Sequence, residues 1–385
     1  MLNKTTVVSL ARSARVTAVR NFTGQGAEER AYRLAQWFLA GPLARLHGET
    51  ALTKRAQTFC REQGLTVERA HSAKENESGG FLVPQEFSAD FVDLRERYGV
   101  FRRNARVAPM LSEAQASLRR QGGLKAYPVG SGEAITESEA RWDGIQLEAR
   151  KWGVLAKFEA ELAEDALTNF GDELAGEMAR AFAFSEDECG FVGDGSPRFH
   201  GIYGVTTRLR ELDPDVGNVA GLVEASGDTW GEITRADMTA VLERLPEYAD
   251  TEDTRWYCSR KFWASVLVRL MLEAGGRSSD EIMGRRYKTF MGYPVEIAQV
   301  LPRKSEPGSI PCLFGDLRQA ARFGDRRQMT VAVTDANRTE FEEDLITIRG
   351  TERFDINVHS VGNASADEDE REAGPIIGLV MQPQI

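Results

Sequence analysis

The first readable hydrophobic pattern begins at residue 27. Between Ala27 and Leu46, the positions Ala31, Leu34, Ala35, Phe38 and Leu39 recur near helical spacing, with Trp37 beside them, and predict an amphipathic helix. Gly41-Pro42 falls inside that span and should break or kink it, because proline donates no N–H and its ring crowds the preceding turn. A second helix is predicted over Thr50–Gln63, stopped by Gly64. From Glu68 to Gly80 the pattern gives way to small and polar residues that read as a linker. Phe81-Leu82-Val83-Pro84 then forms a short apolar anchor. Phe87, Phe91, Leu94 and Tyr98 share one side of a helix predicted over Phe87–Tyr98.

Residues 106–158 alternate in short stretches rich in glycine and charge. Leu124–Val129 and Gln146–Phe158 read as strands, and the polar stretch between them as a loop or hairpin tip. The strongest helix signal covers 169–192, where Phe170, Leu174, Met178, Ala181, Ser185 and Cys189 line one apolar or small-residue stripe. Glu173, Glu177, Arg180 and Glu186 sit off that stripe. Asn169 is the expected N-cap, and Gly193-Asp194-Gly195 the stop. Residues 205–320 read as a compact α/β unit. Its helices are Asp237–Leu245 and Arg260–Leu272; its strands are Trp256–Cys258, Val295–Val300 and Cys312–Phe314. Met329–Val333, Ile346–Gly350, Phe354–Val361 and Ile376–Met381 follow as further strands, the last after an acidic loop at 366–372.

Composition narrows the class. The 385 residues are 42% hydrophobic and 28% charged, which fits a soluble folded chain of two or three domains. No apolar run approaches the roughly 20 residues of a membrane helix, so no membrane partner is expected. Cys60, Cys189, Cys258 and Cys312 lack the spacing of a zinc knuckle or redox motif, and read as reduced, mostly buried side chains of a cytoplasmic protein. The net charge of −11 argues against tight nucleic-acid binding by the whole chain. It conceals a split. Residues 1–78 carry 12 Lys+Arg against 7 Glu and no Asp, a net of +5, which leaves −16 on the remainder. The first 27 residues contain no acid and include Lys4, Arg12, Arg15 and Arg20. That composition resembles a transit peptide; a flexible basic arm is the preferred reading.

Candidate chemistry is sparse. His47, His71, His200 and His359 sit in no metal frame, and there is no Gly-x-Ser-x-Gly elbow. Gly193-Asp194-Gly195 follows a helix instead of opening one and lacks the lysine of a phosphate loop. Gly130-Ser131-Gly132 reads as a hairpin turn. Glu159, Glu161, Glu164 and Asp165 read as a solvated helix start, and Asp367–Glu372 as an exposed acidic loop. No catalytic, cofactor-binding or metal residue is assigned, and the chain is read as non-enzymatic with no cofactor.

The ordered set of short stretches carries more. Gly79-Gly80-Phe81-Leu82-Val83-Pro84-Gln85-Glu86-Phe87 resembles the start of the folded part of tailed-bacteriophage major capsid proteins. In the same order, Leu124–Gly130 with Glu133 and Glu137-Ser138-Glu139 resembles that family's extended loop, and Glu161–Ala166 its approach to the spine helix. Phe191–Gly195 with Pro197 and Gly201-Ile202 resembles the exit from that helix; Phe314-Gly315-Asp316 and Asp344–Arg353 resemble its late strands. The matches span roughly residues 79–381.

The resemblance implies an α+β chain with the Hong Kong 97-type capsid fold. It places a scaffold-like segment, open to proteolytic removal, at 1–78, an N-arm at 79–105 and an extended β-hairpin loop at 106–155. It gives a peripheral domain with a long spine helix to 156–204 and 321–365, and an axial α/β domain to 205–320 and 366–385. It implies pentamers and hexamers tiling an icosahedral head, assembled in the host bacterial cytoplasm, that encloses double-stranded DNA without sequence-specific binding. Implied partners are further copies of the chain and a portal protein, with a prohead protease and a decoration protein as additional candidates. A long polar hairpin has too few apolar residues to be stable unless laid on a neighbour. Arg119, Arg120 and Lys125 are therefore expected to pair across subunits with Glu133, Glu137 and Glu139, each exposed pair contributing about 0–1 kcal/mol. Two alternatives stay open: an encapsulin-type compartment shell, and an α/β enzyme with an unrecognised site. Some capsid proteins crosslink through a loop lysine, but the matching stretch here is Glu133-Ala134-Ile135-Thr136. Purified particles should run as one monomer band on denaturing gels; a non-reducible ladder would contradict this.

Overall fold

A computed structural model describes residues 27–44, 50–65, 67, 81–82, 98–120, 142–159, 167–214, 220–275, 279–282, 285–334, 345–363 and 371–383. Helix α1 (Ala27–Phe38) passes directly into a π turn (Leu39–Leu43) that contains Gly41-Pro42, so the long helix read from the sequence is interrupted where proline withdraws its N–H. Helix α2 (Ala51–Gln63) is capped by the Thr50 hydroxyl, which accepts from the Thr53 N–H at 3.2 Å, and is closed by Gly64 at φ +71°. Helix α3 (Phe101–Asn104) is a single turn, whereas helix α4 (Leu167–Val192) runs for 26 residues. Asn169 lies inside α4 and is not its cap.

The strands divide into two sheets and a hairpin. The first sheet orders β1 (Phe81–Leu82), β12 (Ala321–Thr334), β13 (Leu345–Val358) and β5 (Arg150–Glu159), with β2 (Arg106–Pro109) also lying parallel against β12. The second runs β6 (Leu222–Glu224), β14 (Ile376–Val380), β11 (Cys312–Gly315), β7 (Arg255–Cys258), β10 (Tyr293–Ile297), β9 (Arg285–Phe290) and β8 (Ser279–Ile282). Strands β3 (Ala114–Arg120) and β4 (Trp142–Glu148) form the hairpin.

Three sequence readings change. The single strand expected over Gln146–Phe158 is two strands in different sheets. It breaks at Ala149, whose N–H turns to the Glu113 carbonyl at 2.9 Å. The separate strands expected at Ile346–Gly350 and Phe354–Val361 are one, β13. Of the polar residues between them, Thr351 and Glu352 are buried and Arg353 is paired with Glu113. The strand expected over Val295–Val300 ends at Ile297. Leu124–Val129 and residues 87–97 lie outside the described residues.

The central strands of the second sheet, β14, β11 and β7, are buried on both faces, which explains their near-continuous apolar sequences. Tyr257, Leu313, Ile376 and Val380 face one core, together with Phe191 of α4 and Val205, Leu209 and Leu212 of α5 (Val205–Leu212). Their alternate neighbours Trp256, Cys258, Cys312, Phe314, Ile377 and Leu379 face another. Helix α6 (Arg235–Arg244) covers that face, as does the run from α7 (Arg260–Phe262) through a π turn (Trp263–Leu267) to α8 (Val268–Glu273). At its centre the Trp256 ring lies 4.3 Å from Phe314 and its N–H donates to the Phe290 carbonyl at 3.2 Å. Each such fully buried large side chain contributes about 1.5–3 kcal/mol.

Helix α4 lies across the first sheet because two glycines admit its neighbours. At Gly350 a Cβ would overlap the terminal methyl of Met178; at Gly190 it would overlap the ring of Phe101, itself fully buried. A methionine end can swing aside, whereas a packed ring cannot. Gly190→Ala should lower stability by about 1–3 kcal/mol, and Gly350→Ala by clearly less, in thermal unfolding of the purified protein.

Candidate assembly joint

The turn formed by α3 is plugged into α4. Phe101 fills the groove over Gly190 and meets Phe191 edge-on at 5.3 Å. The backbone N–H of Phe101 donates to Asp187 Oδ1 at 2.7 Å, and that of Val100 to the same carboxylate at 2.9 Å. Asp187 thus fills the place of a capping residue from 86 positions away in sequence. Burial raises its pKa to about 7; the two N–H donors oppose the rise, the Glu186 carboxylate adds to it and Arg103 opposes it.

Arg102 is 3% exposed and binds across three elements. One terminal nitrogen meets Glu186 of α4 at 3.2 Å, the other bonds Asp325 of β12, and the guanidinium lies 4.8 Å above the Phe323 ring. Burial alone would depress its pKa, but Glu186, Asp325 and Glu352 more than offset that and hold the group charged. The next residue, Arg103, pairs with Glu296 of β10. From there ion pairs run through Arg255 (3.3 Å) and Asp253 (3.8 Å) to Arg318 (2.9 Å), tying α3 to the second sheet.

The hairpin leaves the first sheet from a foot fixed in the same way. The Met110 N–H donates to the Asp325 carbonyl at 2.8 Å, and the Glu148 N–H to Asp355 Oδ2 at 2.7 Å. Asn357 donates to the Gln146 carbonyl at 2.9 Å. Met110, Leu147 and Ala149 make a small apolar cluster beneath. Burial lifts Asp355 to about 6, against the N–H groups of Glu148 and Ile356. A polar cleft of about 220 Å³ opens here, between Arg150 and Asp355 on one side and His200 and Arg208 on the other.

Of the charges expected to pair across subunits, Arg119 and Arg120 lie on β3, opposite Asp143 and Trp142 of β4. Lys125, Glu133, Glu137 and Glu139 fall outside the described residues. Sequence reasoning missed Arg102, Glu186, Asp187, Asp325 and Asp355. Glu186 sat off the apolar stripe, yet it is completely buried. A signal did exist: Glu186 and Asp187 lie four residues after Phe182 and Ala183 and four before Gly190 and Phe191, on one continuous buried face. Among the described residues, no group of three or more His, Cys, Asp or Glu is placed to hold a metal ion, and no helix is long and apolar enough to cross a membrane.

The sequence profile of the phage capsid family matches residues 79–361. The chain belongs to that family. It is a major capsid protein, a structural subunit of the icosahedral phage head. Its fold is shared by solved capsid structures. The capsid of an empty GTA particle is 16% identical, matches over 84% of this chain and 98% of that one, and has a TM-score of 0.53. A Mycobacterium phage Bobi structure is 15% identical over 84% and 99%, with a TM-score of 0.52. A Microbacterium phage Oxtober96 structure is 14% identical over 85% and 99%, at 0.50. No curated protein matches the sequence.

The buried carboxylate at the joint should make the stability of this capsid protein depend on pH. Between the ordinary value of 3.8 and about 7, folded Asp187 holds a proton that the unfolded chain has lost, so its contribution to stability falls as pH rises. The slope is at most about 1.4 kcal/mol per pH unit. Asp187→Asn keeps an oxygen acceptor for the α3 N–H groups and removes the titration. Melting curves between pH 4 and 7 should be flatter for the variant than for the wild type; Asp355 contributes equally to both.

Proposed function

We propose that this capsid protein closes as pentamers and hexamers into a shell around double-stranded DNA, held together by an N-arm and an extended loop that reach neighbouring copies. The observation that carries the reading is the hairpin foot. A two-stranded ribbon whose foot is anchored by three hydrogen bonds over a small apolar cluster, and whose sequence holds few apolar residues, is built to lie on something else. We assign 79–105 to the N-arm and 106–155 to the extended loop. We assign 156–204 and 321–365 to a peripheral domain, and 205–320 and 366–385 to an axial domain. The second sheet supports the last assignment, since all seven of its strands come from those two segments. Residues 1–78 would act as an internal scaffold segment. Their helix α1 rests against α4 with Leu34, Trp37 and Phe38 buried, so removal of the segment would expose part of the spine helix.

A body of net charge −16 repels both DNA and its own copies at long range, so assembly should require salt. A portal protein, a prohead protease and a decoration protein are the further partners of this reading, and the host cytoplasm the place of assembly. Electron microscopy of particles purified from producing cells, with nuclease treatment before DNA extraction, tests it. Closed shells with protected DNA are expected. Shells holding a protein cargo and no DNA would make the chain an encapsulin-type container, and a soluble monomer on size-exclusion chromatography would end the shell reading. Intact mass of the shell subunit tests scaffold removal: a product starting near residues 72–80 means cleavage, and the full-length mass means that the segment is retained.

A further inference from the structure

Two cysteines face each other in the middle of the second sheet. Strands β7 and β11 run antiparallel there, and their register sets Cys312 directly opposite Cys258. Opposed residues point to the same face of a sheet, and both side chains stand in one core with Trp256, Phe314 and Leu379. Both are free thiols, and neither is more than 1% exposed. Burial raises the pKa of the Cys312 thiol and a hydrogen bond with Cys258 raises it further, so the two sulfur atoms lie within hydrogen-bond reach.

That placement suits a disulfide. Opposed residues of an antiparallel pair have Cα atoms about 5.5 or about 4.5 Å apart, according to whether the pair exchanges backbone hydrogen bonds. Both values fall inside the roughly 4.4–6.8 Å that a disulfide spans. The Cβ atoms of such a pair are about 4.5–5.5 Å apart, where a disulfide takes about 3.5–4.5 Å. The strands must therefore draw together slightly, between fully packed side chains. A bond made under that strain is more easily reduced than a relaxed one.

We propose that Cys258 and Cys312 are a redox pair, present as thiols in reducing surroundings and closing into a disulfide between β7 and β11 in oxidising ones. The oxidant is a small disulfide of the glutathione class. One cysteine loses its proton and its thiolate attacks a sulfur of the oxidant, forming a mixed disulfide and expelling one glutathione thiolate. The second cysteine thiolate attacks the cysteine sulfur of that mixed disulfide, forming the new S–S bond and expelling the other glutathione thiolate. The two cysteine protons end on the two glutathione thiolates, which also carry away the electron pair. Glutathione is far larger than the gap above a thiol that is at most 1% exposed. The exchange therefore runs through openings of the second sheet, and a closed subunit reacts slowly. Once made, the bond joins the two ends of the segment that carries α7, α8, β8, β9 and β10 and restricts further opening. The inference does not depend on the shell reading.

The full chain tests it, equilibrated with reduced and oxidised glutathione in urea too dilute to unfold it and in urea that unfolds it completely. Equilibrium is approached both from the reduced chain and from chain refolded with oxidised glutathione. Alkylation with intact mass counts the thiols, and peptide mapping locates the bond. At one fixed level of reduced glutathione, the folded chain should protect two of its four thiols, mapped to Cys258 and Cys312, with about ten-fold less oxidised glutathione than the unfolded chain needs. Cys60→Ser combined with Cys189→Ser should leave that result unchanged, and Cys258→Ala should abolish it. By the same linkage the oxidised chain should melt about 2 °C or more above the reduced one. A folded chain that needs as much oxidant as the unfolded one overturns the proposal. So does a bond mapped to another pair, glutathione left attached to Cys258 or Cys312, or a melting temperature that oxidation does not raise.

Discussion

A buried guanidinium governs the joint. Arg102 cannot sit 3% exposed unless carboxylates neutralise it, and the two that bond it come from α4 and β12. The ion cluster adds little net stability over an apolar alternative of the same shape, because taking three charges out of water offsets most of their attraction. Its effect is geometric. Glu186 and Asp325 are offered only when helix, sheet and α3 stand in one relation, so misalignment would strand charges in the interior. Asp187, next along the helix, then orders the α3 backbone, and Phe101 fills the groove that Gly190 leaves open.

From that joint the molecule separates into parts that satisfy themselves and parts that do not. The central strands of the second sheet alternate their side chains into two cores and are covered on both faces. Among the described residues the first sheet ends at β5, and the hairpin rises from it with a cluster of three apolar residues at its base. Rigid attachment of an unsatisfied element suits a subunit whose final contacts lie on other molecules. The foot fixes the direction in which the hairpin leaves, so little orientational freedom would be lost on docking.

Legibility followed the kind of interaction that made each element. Trp256-Tyr257-Cys258, Cys312-Leu313-Phe314 and the strand from Ile376 were readable because a strand buried on both faces must be apolar at every position. The long β13 was not readable as one strand, since Thr351, Glu352 and Arg353 interrupt its apolar pattern and Arg353 is accommodated by Glu113, remote in sequence. The division at Ala149 was hidden for a related reason: the strand changes partners without changing composition. The joint was the least visible part. Arg102, Asp325 and Glu186 are far apart in the chain, and no local pattern announces that charged residues will meet in the interior. The family, by contrast, was legible from short motifs in a fixed order, which register the path of the chain and not its energetics.

The four cysteines carry a consequence for life outside the cell. All are free and buried, and burial pushes the Cys189 thiol up to about 12 and raises that of Cys312 as well. The thiolate is the reactive form, so neither offers one at neutral pH. A virion outside a cell stands in oxidising surroundings. Buried, protonated thiols such as those of Cys189 and Cys312 are poor targets for oxidation there.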